Sequence, residues 1–366
     1  MTLAQRIPSH IPALLDRLKA ENALRVLPST GQEAASLVDF TSNDYLGLAR
    51  KVTGNENGGG ATGSRLLSGN HAAHEALERY CAELFQGESA LLFNSGYLAN
   101  LGVLSCLPKR GDTLLYDERS HASIKDGLRL SPAKRFSFRH NDLADLERLL
   151  QRAGGTVWIV VEALYSMDGD HADLPAMVEL AERHGAYLVV DEAHSTGLYG
   201  AGGAGLACRE GLQSEVLLRV HTFGKAVGLH GAVVVAPEEV KQYLVNRSRP
   251  FVYTTALPAG ACRRLEGQLR EMVGADGKRE QLAELSARFR KALGLPDAGL
   301  WSPIVPWLCP GNAEVRDLAA RVRAAGFDVR PILSPTVPAG EERLRIVLHS
   351  FNSTSQVDDL ASLLHL

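Results

Sequence analysis

A lysine, Lys225, closes the pentapeptide His221–Lys225 and follows an apolar, strand-like segment. A solvated lysine has a pKa of about 10.4 and is a poor nucleophile, whereas burial or a neighbouring cation lowers the pKa and lets the amine form a Schiff base with an aldehyde. A surface lysine at a loop tip is the simpler alternative for this pentapeptide taken alone. The choice between the two depends on the residues that accompany Lys225.

Other polar side chains follow predicted strands at comparable positions. His121 stands in a loop after one strand, Ser166 follows a second, and Asp191 and His194 follow a third. Each has an ordinary alternative, because a lone loop histidine is usually solvated and a strand-end aspartate often caps a turn. Their shared position after strands is what favours a common site.

A run of small residues, Ser95-Gly96-Tyr97, lies between a short apolar strand and a predicted helix. Backbone N–H groups at a helix N-terminus bind phosphate well, although an ordinary tight turn explains the run equally well by itself. Asn43, in a turn near the N-terminus, is more typical of a turn former than of a substrate contact.

A Schiff-base lysine of the pyridoxal phosphate type needs an anion for the pyridine nitrogen, a flat group against the ring and a phosphate cradle. Asp191 can supply the anion, His121 the flat group, and the Ser95 turn the cradle. His194 can reach the phenolic oxygen of such a cofactor. The sequence therefore predicts pyridoxal 5'-phosphate as the cofactor.

The elements that must position these residues alternate in type. Apolar strands are predicted over 90–93, 113–116, 157–161, 186–190, 217–221 and 232–235. Amphipathic helices are predicted over 71–85, 98–107, 143–152 and 175–184. This alternation predicts βαβ units and a mostly parallel sheet between helices, with functional loops at the carboxyl ends of the strands.

The chain of 366 residues exceeds the size at which single cores stop growing, which is about 250 to 300 residues. After Pro250 the pattern changes to helices followed by shorter strands over 304–308, 327–332 and 344–348. We expect an N-terminal segment (1–38), a large domain (39–250), and a connector with a smaller α/β domain (251–366). The short N-terminal helix is predicted over 11–24.

Composition excludes several classes of protein. The formal net charge of −3 gives no basic field for nucleic acid or anionic lipid. The five scattered cysteines suit free thiols in a reducing compartment. Met1 to Arg25 lacks the apolar run of a signal peptide, and no later run reaches the length of a membrane span. A cytoplasmic protein is predicted.

Three motifs suggest other functions but lack the required context. Gly-x-Gly-x-x-Gly occurs at 58–63 and 200–205 without a strand directly before it, so neither predicts a dinucleotide site. Asp191–His194 spells the DEAH box of helicases, but the chain has no phosphate loop. His71 and His74 lack a third zinc ligand, and no metal is predicted.

Five segments, in this order, resemble the successive motifs of the α-oxoamine synthases. They are 94–97 (Asn-Ser-Gly-Tyr), 120–123 (Ser-His-Ala-Ser), 166–170 (Ser-Met-Asp-Gly-Asp), 191–197 (Asp-Glu-Ala-His-Ser-Thr-Gly) and 222–225 (Thr-Phe-Gly-Lys). Members of this family are pyridoxal phosphate enzymes of transferase fold type I that join an amino acid to an acyl thioester with loss of carbon dioxide. The resemblance implies that fold, with a seven-stranded, mostly parallel sheet in the large domain.

The resemblance also implies residue roles. Lys225 would form the Schiff base, Asp191 would pair with the pyridinium, His121 would stack on the ring, and His194 would contact the phenolic oxygen. The remaining implied cofactor contacts are Ser95, Gly96, Tyr97, Ser166 and Thr222.

A homodimer with shared active sites is implied by a further segment. Thr254 and Thr255 lie in a stretch that resembles the family's Tyr-Ser-Thr-Ala, whose residues contact the phosphate of the partner subunit's cofactor.

Within the family, residues 329–338 and 343–346 resemble the members of the biotin pathway, which condense L-alanine with a pimeloyl thioester. Arg345 would hold the amino acid carboxylate, with Arg330 as a second candidate and Arg25 and Asn43 as further substrate contacts. Coenzyme A and acyl carrier protein remain open as thiol carriers. Alternatives are 2-amino-3-ketobutyrate ligase, serine palmitoyltransferase and other siblings, or a non-catalytic subunit, which would be expected to lack Lys225.

Overall fold

The computed structural model describes residues 16–17, 19–22, 37–48, 60–296 and 299–365. Two compact units are present, a larger one of Asn43–Leu282 and a smaller one of Met1–Ser42 with Ala283–Leu366. The domain boundaries predicted at residues 38 and 250 stay a prediction. Most of the predicted helix over 11–24 lies outside the described residues.

Strands occur along most of the chain. They are β1 (Val38–Asp39), β2 (Ser89–Phe93), β3 (Thr113–Asp117), β4 (Lys134–Phe138), β5 (Val157–Glu162), β6 (Tyr187–Asp191), β7 (Leu218–Thr222), β8 (Ala232–Ala236), β9 (Ile304–Leu308), β10 (Phe327–Asp328), β11 (Arg330–Ile332) and β12 (Arg343–Val347).

A short 3-10 turn covers Ala201–Gly203. The α-helices lie between the strands, and the last helix follows the last strand. They are α1 (Ala72–Leu84), α2 (Gly96–Cys106), α3 (Ala122–Leu130), α4 (Leu143–Leu150), α5 (Leu174–His184), α6 (Leu206–Arg209), α7 (Glu238–Arg247), α8 (Arg249–Val252), α9 (Ala259–Val273), α10 (Asp276–Ala292), α11 (Asn312–Ala324) and α12 (Thr354–Leu364).

The larger unit contains a seven-stranded sheet in the order β2-β8-β7-β6-β5-β3-β4. Strand β8 runs antiparallel to both neighbours, and the other pairs are parallel. The six residues of β5 are all buried, as expected for a parallel strand covered on both faces. The predicted seven-stranded, mostly parallel sheet is confirmed.

The smaller unit contains a three-stranded antiparallel sheet in the order β11-β12-β9, and β1 pairs in parallel with β10. Strand β12 lies at the centre of its sheet and is buried along its whole length. The shorter strands predicted in the C-terminal part of the chain therefore form an antiparallel sheet.

Helix α1 begins differently from the prediction. His71, the first residue of the predicted helix, is the N-cap, and its Nδ1 accepts a hydrogen bond from the Ala73 backbone N–H at 3.0 Å. His74 is buried and its Nε2 lies 2.8 Å from the Leu257 carbonyl oxygen. The two histidines therefore serve a cap and a buried backbone contact, and His74 does not lie on a solvated face.

Helices α2 and α3 approach closely through Gly127. A Cβ atom at this position would lie 2.9 Å from the Leu104 Cβ and 3.0 Å from the Asn100 carbonyl oxygen. Protein interiors are packed to crystal-like density, so these atoms cannot simply move apart. Glycine at 127 lets the backbones of the two helices meet.

His140 joins two loops at the carboxyl edge of the large sheet. Its Nδ1 lies 2.9 Å from Asp117 Oδ1, and its Nε2 lies 2.7 Å from Asp170 Oδ2. Burial disfavours the imidazolium, but the two carboxylates outweigh burial and raise the pKa of His140 to about 9. Asp117 precedes the loop of His121, and Asp170 ends the loop of Ser166, so this cation clamps two segments of the predicted site.

Among the described residues, none of the helices is both long and apolar enough to cross a membrane.

Replacing Gly127 by alanine is expected to lower the free energy of unfolding. Alanine gains about 1 kcal/mol of helix propensity over glycine, but overpacking a tight contact costs about 1–3 kcal/mol. Gly267, in α9, is the matched control, because a Cβ there meets no atom within 4 Å. Urea denaturation should show Gly127→Ala destabilised and Gly267→Ala stabilised; stabilisation of both would contradict the close approach.

The His140 clamp predicts a pH-dependent stability. Its pKa is about 9 when folded and about 6.5 when unfolded, so the stabilisation is complete below pH 6.5 and is lost as the pH rises to 9. The loss is at most about 1.4 kcal/mol for each unit by which the pKa is raised. Urea denaturation between pH 6.5 and 9 should show a steeper decline in wild type than in His140→Gln. Equal declines would refute the clamp.

Candidate active site

Four parallel strands bring the predicted site residues to one edge of the large sheet. Glu162 and Asp191 end β5 and β6 and lie opposite each other in register. The charges of Asp191 and Lys225 both act on the His121 imidazole and on the Glu162 carboxyl group. The structure therefore brings Lys225, Asp191 and His121 together, as predicted, and adds Glu162.

Both oxygens of Asp191 accept hydrogen bonds from fixed donors. Oδ1 accepts from the Ala193 backbone N–H at 2.8 Å, and Oδ2 accepts from Asn100 Nδ2 at 2.6 Å. The first bond is the turn cap that a strand-end aspartate often makes, and the second links Asp191 to helix α2. Asp191 is thus a buried, oriented hydrogen-bond acceptor.

His121 is placed by a helix rather than by a free loop. It is the N-cap of α3, and its Nδ1 accepts from the Ser123 backbone N–H at 3.2 Å. The sequence predicted only a loop at this position, although the short helix that follows is amphipathic, with Ile124 and Leu128 buried one turn apart. Surrounding protein atoms lower the pKa of His121; Asp191 opposes this effect, whereas Lys225 adds to it.

Glu162, which directly follows a predicted strand, holds the backbone of His121 and was assigned no role from the sequence. Its Oε1 accepts from the His121 backbone N–H at 2.6 Å. Burial, strengthened by the Asp191 charge and opposed by Lys225, raises the pKa of Glu162 to about 8. Its position as the last residue of a fully buried strand is the sequence signal that identifies it.

The Ser95 turn has the features expected of an anion cradle. Ser95 is the N-cap of α2, which has 11 residues, and its hydroxyl accepts from the Leu98 backbone N–H at 3.3 Å. A Cβ at Gly96 would lie 3.3 Å from Thr222 Oγ1, so glycine keeps the helix N-terminus and the end of β7 in close contact. Ser95, Gly96 and Thr222 are therefore brought together at the edge where Lys225 lies.

Tyr97 contributes its ring and its hydroxyl group to different neighbours. The side chain is 42% exposed, its hydroxyl donates a hydrogen bond to the Asp126 carboxylate, and its ring meets His121 edge-on at 6.5 Å. Only its position at the start of α2 agrees with the predicted phosphate cradle.

His194 is oriented by a buried tyrosine that was not predicted as a site residue. Its Nδ1 lies 2.7 Å from the hydroxyl of Tyr45, which also donates to Asn43 Oδ1 at 3.1 Å. Tyr45 has no exposed surface. Asn43, predicted as a substrate contact, therefore supports the tyrosine that holds His194.

The loop after β5 carries Ser166, which is nearly buried. Within this loop the Gly169 N–H donates to the Tyr165 carbonyl at 2.9 Å, and Arg119 binds Asp168 at 2.5 Å. Ser166 thus lies in a turn that is tied down on both sides.

Thr254 and Thr255 lie in the connector after α8. Asn94 Nδ2 donates to the Thr255 carbonyl at 3.0 Å, which holds the connector near the end of β2. Thr255 is exposed, Thr254 is half-buried, and the preceding Tyr253 is 73% exposed. Their predicted contact with a partner subunit stays a prediction.

The arginines predicted to bind substrate belong to the smaller unit or are not described. Arg330 and Arg345 face each other in register on β11 and β12. Arg345 is buried, and Arg330 pairs with Asp328 at 3.1 Å. Arg25 lies outside the described residues.

The donors and acceptors of the larger unit fit pyridoxal phosphate. A helix N-terminus closed by Gly96 suits a phosphate, the Asp191 acceptor suits a protonated ring nitrogen, and Lys225 supplies an amine at the same edge.

The chain is similar to known proteins over most of its length. Residues 35–364 match the family described as aminotransferase class I and II. The 8-amino-7-oxononanoate synthase of Chlorobaculum parvum is 39% identical, covering 97% of this chain and 98% of the relative.

Two solved structures extend the comparison. The serine palmitoyltransferase of S. paucimobilis with a bound PLP–myriocin aldimine is 27% identical with a TM-score of 0.86, covering 97% of this chain and 96% of that one. The 8-amino-7-oxononanoate synthase of Francisella tularensis is 26% identical with a TM-score of 0.76, covering 90% and 97% respectively. These matches confirm the fold and the family resemblance, and the chain belongs to the aminotransferase class I and II family.

Proposed function

We propose that this protein condenses L-alanine with a pimeloyl thioester to give 8-amino-7-oxononanoate, carbon dioxide and a free thiol, with pyridoxal 5'-phosphate as its cofactor. The observation that carries the proposal is the convergence of Lys225, Asp191 and His121 at one sheet edge. Relatives named 8-amino-7-oxononanoate synthase, matched over nearly the whole chain, support the choice of substrates.

Residues of the larger unit would hold the cofactor. Lys225 would hold its aldehyde carbon, Asp191 its ring nitrogen and His194 its phenolic oxygen, while His121 stacks on the ring. The phosphate would be held by Ser95, Gly96, Ser166 and Thr222. When bound, the cofactor withdraws electrons from the amino acid α-carbon and so acidifies the α-hydrogen.

The chain's own groups then move protons. Lys225 Nζ takes the α-hydrogen of L-alanine as a general base. Asp191, held by two donors, keeps the ring nitrogen protonated. His121 lies beside both groups, where it can assist the loss of carbon dioxide from the condensation product. Glu162 fixes the backbone of His121, and with a pKa of about 8 it is mostly neutral at pH 7.

Substrate binding is assigned mainly to arginine. Arg345 is assigned to the amino acid carboxylate, because guanidinium binds carboxylate in a bidentate manner, and Arg330 is the second candidate. Arg25 and Asn43 are assigned to further substrate contacts. The acyl group arrives on coenzyme A or on an acyl carrier protein.

The assembly is assigned as a homodimer with shared active sites. The exposed Tyr253 and Thr255 support this assignment, since they flank Thr254 in the connector that Asn94 holds near the end of β2. A cytoplasmic location agrees with the five cysteines, none of which forms a disulfide.

A second candidate is the condensation of serine with a palmitoyl thioester. The fold match to serine palmitoyltransferase, with a TM-score of 0.86, favours its inclusion. The two reactions share the groups at the sheet edge and differ in the amino acid and acyl chain.

Lys225→Ala is expected to abolish both turnover and the visible absorption of the bound cofactor, because no other amine would hold the aldehyde carbon. Lys134→Ala, at an exposed position at the start of β4, is the control and should keep both. Absorption spectra and a thiol-release assay measure the two properties. A Lys225→Ala protein that retained them would refute the assignment.

A substrate panel tests the reaction itself. Alanine, glycine and serine are combined with pimeloyl, acetyl, succinyl and palmitoyl thioesters, and released thiol is measured. The highest kcat/KM is expected for alanine with the pimeloyl thioester. Preference for serine with palmitoyl would select the second candidate, and preference for glycine with acetyl would exclude both.

A further inference from the structure

Asn100 connects two of the proposed cofactor contacts, Asp191 and His121, through buried hydrogen bonds. It lies on α2 and is 3% exposed, and its Nδ2 is 2.6 Å from Asp191 Oδ2 and 3.0 Å from Ser123 Oγ. Ser123 is 1% exposed, and its Oγ is 2.8 Å from His121 Nδ1. A continuous chain of hydrogen bonds therefore runs from Asp191 through Asn100 and Ser123 to His121.

The direction of each bond follows from the hydrogens available. An ionised Asp191 can only accept, so Asn100 must present its NH₂ group to it. That group has two hydrogens, and the second one goes to Ser123 Oγ. Because Ser123 Oγ accepts from Asn100, its own hydrogen is left for His121 Nδ1.

The hydrogen-bond donors around His121 also fix its tautomer. Nδ1 also receives the Ser123 backbone N–H, which can only donate. Two donors on one ring nitrogen require that Nδ1 carries no hydrogen. The ring hydrogen of neutral His121 is therefore on Nε2, the nitrogen outside the network.

The frame that carries this chain of bonds is tightly packed. The Asn100 carbonyl oxygen borders the position of a Cβ at Gly127, where α2 and α3 meet. Buried polar groups that lose a partner pay the full cost of desolvation, so neither Asn100 nor Ser123 can be removed without consequence for its neighbour.

We propose that Asn100 and Ser123 are positioning residues, of which Asn100 orients the Asp191 carboxylate and Ser123 holds His121 as the Nε2–H tautomer. The proposal rests on the proposed function in one respect, namely that Asp191 and His121 face the cofactor. If the network served stability alone, substituting either Asn100 or Ser123 would disturb Asp191 and His121 together and lower the stability. If the two are positioning residues, substituting Asn100 affects Asp191 and substituting Ser123 affects His121.

The tautomer is measured directly in wild-type apoenzyme. The protein is labelled with ¹⁵N-histidine, and the His121 signals are identified among the 12 histidines by comparison with a His121→Gln variant. The expected result is a protonated Nε2 and an unprotonated Nδ1. A protonated Nδ1 in neutral His121 would overturn the proposal, whether or not any variant folds.

Two substitutions separate the roles. Asn100→Leu keeps a similar volume without hydrogens and is expected to raise the Kd for pyridoxal phosphate at least about tenfold, with the tautomer retained because Ser123 still donates. A tenfold change corresponds to about 1.4 kcal/mol. Ser123→Ala is expected to raise the population of the Nδ1–H tautomer, since only the weaker backbone donor to Nδ1 remains. The Kd for pyridoxal phosphate should change less than threefold.

Ser89→Ala is the matched control. Its hydroxyl is also buried and makes one hydrogen bond, to the Ala236 carbonyl oxygen at 2.7 Å, away from this network. Cofactor affinity and the His121 tautomer should be unchanged in this variant. Wild-type affinity in Asn100→Leu would overturn the role of Asn100, and an unchanged tautomer in Ser123→Ala would overturn that of Ser123.

The proposed function fails separately. If wild-type protein did not bind pyridoxal phosphate, the proposed function would be wrong, while the tautomer measurement would still test the bond network. If wild type bound the cofactor and the variants behaved like wild type, only the positioning roles would be wrong.

Discussion

The side-by-side burial of two carboxyl groups, Glu162 and Asp191, is the constraint on which the site depends. They end neighbouring parallel strands in register, and like charges this close cannot both ionise cheaply. The structure resolves the conflict unequally. Asp191 receives two hydrogen-bond donors, whereas burial and the Asp191 charge raise the pKa of Glu162 to about 8.

This asymmetry divides the work between the two groups. The carboxylate with two donors is held in a fixed orientation as an acceptor, as a partner for a cationic ring requires. The group with the raised pKa is mostly neutral near pH 7 and holds the backbone of His121 without adding a full second charge. Lys225 lies close enough to act electrostatically on Glu162 and on His121.

Much of the fold could be predicted from the sequence because its strong signals are local. Continuous apolar runs identified β5 and β6 within one residue of their ends. Strand β4 was missed because four of its five residues are exposed and its sequence, Lys-Arg-Phe-Ser-Phe, lacks a buried pattern.

The site was predictable only in part, for a related reason. Lys225, Asp191 and His121 lie in short motifs after strands, which sequence reasoning can detect. Their supporting residues act across long separations: Tyr45 and His194 are 149 positions apart, and Asn100 and Asp191 are 91 positions apart. No local pattern marks a buried asparagine in a helix as a partner of a strand-end aspartate, so this contact follows only from the folded structure.

The supporting residues act on the cofactor side of the site and not on its substrates. Asn100, Ser123, Glu162 and Tyr45 all belong to the larger unit, where each holds a group assigned to the cofactor. Such contacts serve any amino acid, because they act on the cofactor side of the reaction.

Selectivity must instead come from groups that touch the amino acid and the acyl chain. The arginines assigned to the substrate, Arg330 and Arg345, belong to the smaller unit and lie opposite each other on antiparallel strands. Their guanidinium groups recognise a carboxylate, which alanine, glycine and serine all carry. A carboxylate contact therefore selects amino acids as a class, and the choice among them depends on the space around the side chain.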